Sequence, residues 1–272
     1  MINADSMQVY RELRILTARP DAGEEGRAPH RLYGEVPAST RFSVAAWRGE
    51  AAQVLREARE SGSLPIFVGG TGLYFKALTE GIADLPPIDP AIRAAIAERA
   101  ATEGVPALHA ALARLDPVGA ARLEPGDRTR VLRALEVVEA TGCPLSHWQE
   151  KTSVPPLVDL ADTAAYVLAP DRAVLYARIG RRFDAMVAEG ALDEVRALLA
   201  LGLDPELPAM KAIGVREFRA HLAGEIDLAE AIERAKMETR RYAKRQSTWF
   251  RHQMEGWHSV ESPDEIALNR FV

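Results

Sequence analysis

Two short apolar runs, each halted by a turn and followed by a helical pattern, set the strongest limit on the fold. Leu64-Pro65-Ile66-Phe67-Val68 stops at Gly69-Gly70, and Ala164-Ala165-Tyr166-Val167-Leu168-Ala169 stops at Pro170-Asp171. Strand, turn and helix in that order are the grammar of an α/β fold with a parallel sheet. Apolar character without alternation predicts strands covered on both faces. Ile2-Asn3-Ala4-Asp5 reads as the exit of a further strand. Ligands of open α/β sheets bind outside the carboxyl ends of the strands. The polar residues that follow each run are therefore the first candidates for a site.

Residues 86–157 differ. They open with Pro86-Pro87, close with Pro155-Pro156, and hold only helical spacing: Ile92 and Ile96; Leu108, Leu112 and Leu115; Val131, Leu135 and Val138. This reads as an all-helical insertion dividing an α/β core of residues 1–85 and 158–272; helices packed on the sheet are the alternative. Asp21 to Pro29 reads as a loop. The lone Cys143 excludes an internal disulfide and a Cys-rich zinc site. A reducing, cytoplasmic setting is expected. No apolar run approaches the roughly 18 residues of a membrane span. The first residues carry no signal-peptide pattern, so no leader is expected.

Five polar clusters stand out. Asp5-Ser6-Met7-Gln8 puts a carboxylate, a hydroxyl and an amide at a strand end; a capped turn is its other reading. Gly69-Gly70-Thr71-Gly72 lets backbone approach a phosphate or a ring before a helix N-terminus; a tight strand-to-helix turn would look the same. Arg178, Arg181 and Arg182 have helical spacing, and such a face suits a phosphate or a solvated surface paired with Asp184 and Glu189. Residues 240–251 hold five basic side chains, three aromatics and no acid, in a chain of net charge −5. Basic and aromatic side chains interleaved suit phosphate contact and base stacking; an exposed basic helix is the alternative. Arg130 and Arg133 lie one turn apart in the insertion. The histidines are scattered, so no metal held mainly by protein is expected.

These residues carry a resemblance. Asp5-Ser6-Met7-Gln8-Val9-Tyr10, Pro29-His30-Arg31-Leu32 and Gly69-Gly70-Thr71-Gly72-Leu73-Tyr74 resemble the tRNA dimethylallyltransferases, the bacterial tRNA isopentenyltransferase family. Arg133-Ala134-Leu135-Glu136-Val137, Arg182-Phe183-Asp184-Ala185-Met186, Ala212-Ile213-Gly214 and Tyr242-Ala243-Lys244-Arg245-Gln246 continue it in family order. The family pattern begins upstream of Asp-Ser with a strand, a P-loop and a helix, roughly 30 residues that these 272 do not contain. The implied fold is a P-loop-type parallel core, lacking that first strand and P-loop, with a helical insertion.

The resemblance implies transfer of a dimethylallyl group from its pyrophosphate to the N6 amine of the adenine 3′ of the anticodon, in tRNAs reading codons that begin with U. It makes Asp5 the general base, Thr71 a hydrogen-bonding group near the reacting centre, and Arg182 the pyrophosphate ligand, with Mg²⁺ bridging pyrophosphate oxygens. Implied contacts to the tRNA anticodon stem-loop are Asp5, Ser6, Met7 and Gln8; Thr71 and Arg93; Thr129, Arg130, Val131, Leu132 and Arg133; Lys211, Ala212, Ile213, Gly214, Val215 and Arg216; and Lys244, Arg245, Gln246, Ser247, Thr248, Trp249, Phe250 and Arg251. A monomer with no membrane partner is expected. Two alternatives stand beside this reading: a P-loop small-molecule kinase, and a tRNA-binding fragment that is inactive without a P-loop.

Overall fold

The computed structural model describes residues 1–151 and 154–266. Thr152, Ser153 and residues 267–272 of the expected insertion and core lie outside the described residues. The chain divides into two compact units, Met1–Thr79 with Leu157–Val272, and Glu80–Pro156.

The first unit begins with β1 (Ile2–Asn3), α1 (Ala22–Glu25), α2 (Val44–Glu60), β2 (Phe67–Val68) and α3 (Gly72–Thr79). The second unit holds α4 (Pro90–Thr102), α5 (Val105–Leu115), α6 (Pro117–Ala120), α7 (Arg128–Thr141) and α8 (Leu145–Lys151). The first unit resumes with β3 (Tyr166–Leu168), α9 (Arg172–Ala188), α10 (Ala191–Ala200), α11 (Val215–Leu222), α12 (Leu228–Gln253) and β4 (His258–Val260).

Both strand pairs of the first unit are parallel: β1 with β2, Ile2 opposite Phe67, and β3 with β4, Tyr166 opposite His258. The apolar runs thus form strands, shorter than the runs themselves. They are not covered on both faces: Leu64 is 58% exposed, Val68 43% and Leu168 51%. The described strands form two-stranded sheets, and a ribbon of two offers little for helices to cover. The expected loop at Asp21 holds the short helix α1, because Asp21 and Glu24 form a reciprocal capping box.

Packing explains why β1 is held firmly. Trp47 of α2 is fully buried, stacks on Tyr74 of α3 with ring centroids 4.3 Å apart, and donates its indole N–H to the Asn3 carbonyl at 2.8 Å. Two helices and a strand thereby share one aromatic anchor. A second core joins Val9, Tyr10 and Leu13 to Phe183 and Met186 of α9, Val195 of α10, Phe218 of α11 and Ala231 of α12. Asp5 to Gln8 lies on the chain between these two cores.

The second unit has its own core: Ile96, Leu108, Leu112, Val131 and Leu135 are all fully buried. The helical spacing seen in the sequence marks this core, except that Leu115 is 48% exposed. That residue ends α5, where the chain turns into Asp116. No helix among the described residues is long and apolar enough to cross a membrane.

Candidate active site

The ladder between β1 and β2 ends where the Ala4 amide donates to the Val68 carbonyl at 2.8 Å. The next amide, that of Asp5, turns away to the Asn3 side-chain oxygen at 2.8 Å. Asn3 is fully buried, and its amide nitrogen donates to the carbonyls of Asp5 (2.9 Å) and Leu32 (3.0 Å). Its side chain therefore ends the strand and starts the turn. Asp5 Oδ1 then accepts from the amides of Met7 (2.7 Å) and Gln8 (3.3 Å). Asp side chains favour such local turns. The capped turn and the candidate catalytic group are thus one structure, using one carboxylate oxygen each. Among the described residues, Oδ2 accepts no hydrogen bond.

The glycine turn after β2 is pressed against this segment. The Thr71 amide donates to the Ala4 carbonyl at 3.1 Å. Thr71 Oγ1 accepts from the Ser6 amide at 2.9 Å and lies 3.2 Å from Ser6 Oγ. A Cβ on Gly69 would sit 2.2 Å from the Ala4 carbonyl carbon, so only glycine allows the approach. Asp5, Ser6 and Thr71 are therefore brought together at the carboxyl ends of parallel strands.

Asp5 is half-buried. Loss of water raises its pKa above the usual carboxylate value; the Met7 and Gln8 amides and the positive charge of Arg182 oppose that rise. Arg182, on the exposed side of α9, is thus within electrostatic reach of Asp5. Three tyrosines that the sequence did not single out also feel this carboxylate. Tyr33 is pushed up to about 12 by burial and by Asp5. Tyr242 is raised by the same two causes, and Tyr74 by burial, by Tyr10 and by Asp5. Tyr242 lies in the basic–aromatic segment already noted, but nothing in the sequence pointed to Tyr33 beyond its place after His30-Arg31-Leu32.

Helix α12 borders the site. Its side chains Tyr242, Arg245, Gln246, Trp249 and Phe250 line a cleft of about 190 Å³ with Gly70, Thr71, Gly72 and Leu73. Arg245 lies over the Tyr242 ring, 5.8 Å from its centroid. Lys244, Arg245, Ser247, Thr248 and Arg251 are exposed, while Gln246, Trp249 and Phe250 are partly buried.

Other expected contact residues separate by burial. Lys211 and Arg216 are exposed, and each is paired with a glutamate, Glu206 and Glu217. The side chains of Ala212 and Val215 are buried, at 5% and 1% exposure, beside half-buried Ile213 and the left-handed Gly214. In the second unit, Thr129 and Arg130 are exposed, Leu132 and Arg133 are half-buried, and Val131 is fully buried. The side chains of Val131, Ala212 and Val215 each fill a core, so at these positions only the backbone is available for contact. Gln8 is similarly engaged inward, donating to the carbonyls of Thr17 (2.9 Å) and Ala18 (3.0 Å). Arg93 and Arg133 share Glu136, at 3.7 and 3.3 Å. Asp184, the partner that the solvated-surface alternative gave to the arginines of α9, is paired with Lys236 of α12 at 2.6 Å.

Fold and site together define an α/β protein with an acid–hydroxyl pair at the ends of parallel strands and a basic helix beside it. Comparison with known proteins then gives the family. Residues 8–253 match the family described as IPP transferase. A tRNA dimethylallyltransferase of Rhodopseudomonas palustris is 59% identical over all of this chain and 84% of its own length. Another, from Methylocella silvestris, is 54% identical over 98% of this chain and 89% of its own. The crystal structure of a tRNA isopentenylpyrophosphate transferase from Bacillus halodurans has 37% identity and a TM-score of 0.64, covering 99% of this chain and 83% of that one. A eukaryotic dimethylallyltransferase acting on tRNA has 29% identity and a TM-score of 0.74, over 92% of this chain and 62% of that one. The chain belongs to the IPP transferase family and has its α/β, P-loop-type core. The small-molecule kinase reading falls away.

Proposed function

We propose that this chain transfers a dimethylallyl group from dimethylallyl pyrophosphate to tRNA, at the N6 amine of the adenine immediately 3′ of the anticodon in tRNAs reading codons that begin with U. The observation that carries the reading is Asp5: a desolvated strand-end carboxylate with Oδ1 bound to two backbone amides and Oδ2 open. The family and its relatives, named as tRNA dimethylallyltransferases, supply the reaction class.

An adenine amine is a poor nucleophile, since its lone pair is delocalised into the ring. The allylic carbon compensates because its leaving group departs from a resonance-stabilised centre. The amine nitrogen forms the new bond to that carbon as the carbon–oxygen bond breaks, and the electron pair leaves with pyrophosphate. Asp5 takes the amine proton. A base with a raised pKa holds that proton better, and general-base assistance contributes on the order of 10² to 10⁴ in rate. Thr71 holds the Ser6 amide, fixes the turn carrying the base, and presents its hydroxyl to the reacting centre. Arg182 binds the pyrophosphate and stabilises its developing charge. A base stacked in the anticodon loop must be extruded to meet these groups.

Mg²⁺ would neutralise pyrophosphate charge when bound. Among the described residues, no three His, Cys, Asp or Glu side chains converge on a metal position. With Asp5 Oδ2 kept for the amine proton, the oxygens at hand are Ser6 Oγ and Thr71 Oγ1. That set fits an ion held chiefly through phosphate and water, with few protein ligands.

The exposed face of α12, from Lys244 to Arg251, would take the tRNA backbone, and the helical unit would add Arg93, Arg130 and Arg133. The protein would act as a monomer in the cytoplasm. The test is mass spectrometry of tRNA incubated with the chain, dimethylallyl pyrophosphate and Mg²⁺. A mass gain of one dimethylallyl group at that adenine is expected. Binding of tRNA without transfer would instead make the chain a tRNA-binding protein.

A further inference from the structure

Gln246, among the expected tRNA contacts, has its side-chain nitrogen committed within the protein. Its Nε2 donates to the Gly70 carbonyl at 2.8 Å, across 176 residues of chain. A Cβ on Gly70 would lie 2.3 Å from that nitrogen. Two residues on, a Cβ on Gly72 would lie 2.2 Å from the Trp249 ring. Gln246 and Trp249 are three apart on α12 and share a face. The glycine turn is thus gripped from outside by α12, while Gly69 presses on Ala4 from within.

Thr71 sits between the two gripped glycines. It holds the Ser6 amide through Oγ1 and the Ala4 carbonyl through its own amide. Any shift of Gly70 therefore moves the group that braces the Asp5 turn. The opposite face of α12 carries exposed Lys244, Ser247, Thr248 and Arg251. One helix thus presents basic residues outward and braces the turn beside the carboxylate inward.

We propose that Gln246 is a positioning residue: it latches α12 to the Gly70 carbonyl and so holds Thr71 and Asp5 in register for transfer. This rests on the function proposed above. It differs from a tRNA contact, because the carboxamide is engaged inside the protein.

Two measurements test it. The first is steady-state transfer by the unsubstituted chain, Gln246→Ala and Gln246→Glu. Glutamate keeps the length but as a carboxylate cannot donate to the Gly70 carbonyl, so it serves also if the alanine variant folds poorly. Small displacements at a reacting centre cost on the order of a hundredfold, so kcat should fall about ten- to a hundredfold. The KM for tRNA should stay within about twofold. A raised KM with kcat unchanged would make Gln246 a tRNA contact and overturn the proposal.

The second is a double-mutant melting cycle with Gly70→Ala. Gly70 is not among the left-handed glycines, so alanine there is opposed chiefly by the Gln246 contact. The next atom is Asp5 Oδ2 at 3.6 Å, an ordinary contact. Gly70→Ala should therefore lower Tm less in the Gln246→Ala background than in the unsubstituted chain. Additive losses would overturn the latch. Absence of any transfer by the unsubstituted chain would refute the proposed function instead, and the melting cycle would still decide the latch.

Discussion

The Ser6 amide donates to the side-chain oxygen of Thr71 at 2.9 Å, joining two turns 65 residues apart. This contact carries the geometry of the candidate site, since Ser6 follows the candidate base and Thr71 sits within the glycine turn. Thr71→Val keeps the shape and removes the acceptor, leaving a part-buried amide unpaired. Such a loss costs about 1–3 kcal/mol. A lower Tm and a kcat reduced by at least about tenfold are expected, because the base loses its brace. Thr71→Ser keeps the oxygen and should retain most of both. Transfer assays and thermal melts on the two variants check this; equal losses would assign the effect to the lost methyl group.

Asp5 sets the pH dependence. Burial raises its pKa, and the base works only when ionised. The acid limb of kcat/KM should therefore lie above the ordinary carboxylate range, with rate rising as pH rises through it. Asp5→Asn should lower the rate about 10² to 10⁴-fold and flatten that limb. The stability sign is opposite to the usual carboxylate case. A raised folded-state pKa means that ionisation opposes folding, so stability declines as pH rises from the ordinary value through the raised one. Asp5→Asn should lose that decline. A pH–rate profile and melts across the same range test both statements.

The outward face of α12 should be felt as salt dependence. Lys244 and Arg245 are exposed, and Arg245 borders the cleft beside Thr71. Changing both to Ala should make the logarithmic salt slope of tRNA binding shallower by roughly one to two units. Binding of dimethylallyl pyrophosphate should not change. Titrations at several salt concentrations decide it, and an unchanged slope would leave this face a solvated helix.

The grouping of the candidate residues Asp5, Ser6 and Thr71 was legible because their signals are local. Asp5, Ser6 and Thr71 lie next to strand ends, where glycines and polar side chains break apolar runs. The helical unit was legible because Ile96, Leu108, Leu112, Val131 and Leu135 keep helical spacing in their own core. Contacts made across the chain were not. Gln246 on Gly70 and Trp249 on Gly72 have no local signature. Burial also cuts through contiguous blocks: Val131 and Ala212 face cores while Arg130 and Lys211 beside them face water. A run read as one contact block is therefore split by helical or turn geometry. The strands came out shorter and barer than their apolar runs suggested, because strand length and cover depend on neighbours that periodicity does not reveal.

Asp116 should govern the helical unit's stability. It is 1% exposed and has three partners: the Gly119 amide at 2.8 Å, the Ser146 hydroxyl at 2.7 Å and the Ser146 amide at 3.2 Å. It caps α6 and ties that helix to the start of α8. Burial alone would raise its pKa, but the Ser146 and Gly119 hydrogen bonds outweigh that and hold it below the ordinary value. A lowered folded-state pKa gives stability that is present above the ordinary carboxylate value and is lost as pH falls through the lowered one. Asp116→Ala leaves two buried donors without their acceptor and removes a cap, a loss of about 2–4 kcal/mol. The full-length variant should unfold at a lower temperature near neutral pH. Its deficit against the unsubstituted chain should shrink as pH falls below the carboxylate range, where the unsubstituted chain loses the contribution that the variant already lacks. Thermal melts from neutral to acid pH measure this directly, and a deficit independent of pH would show that the ionised form of Asp116 is not what joins α6 to α8.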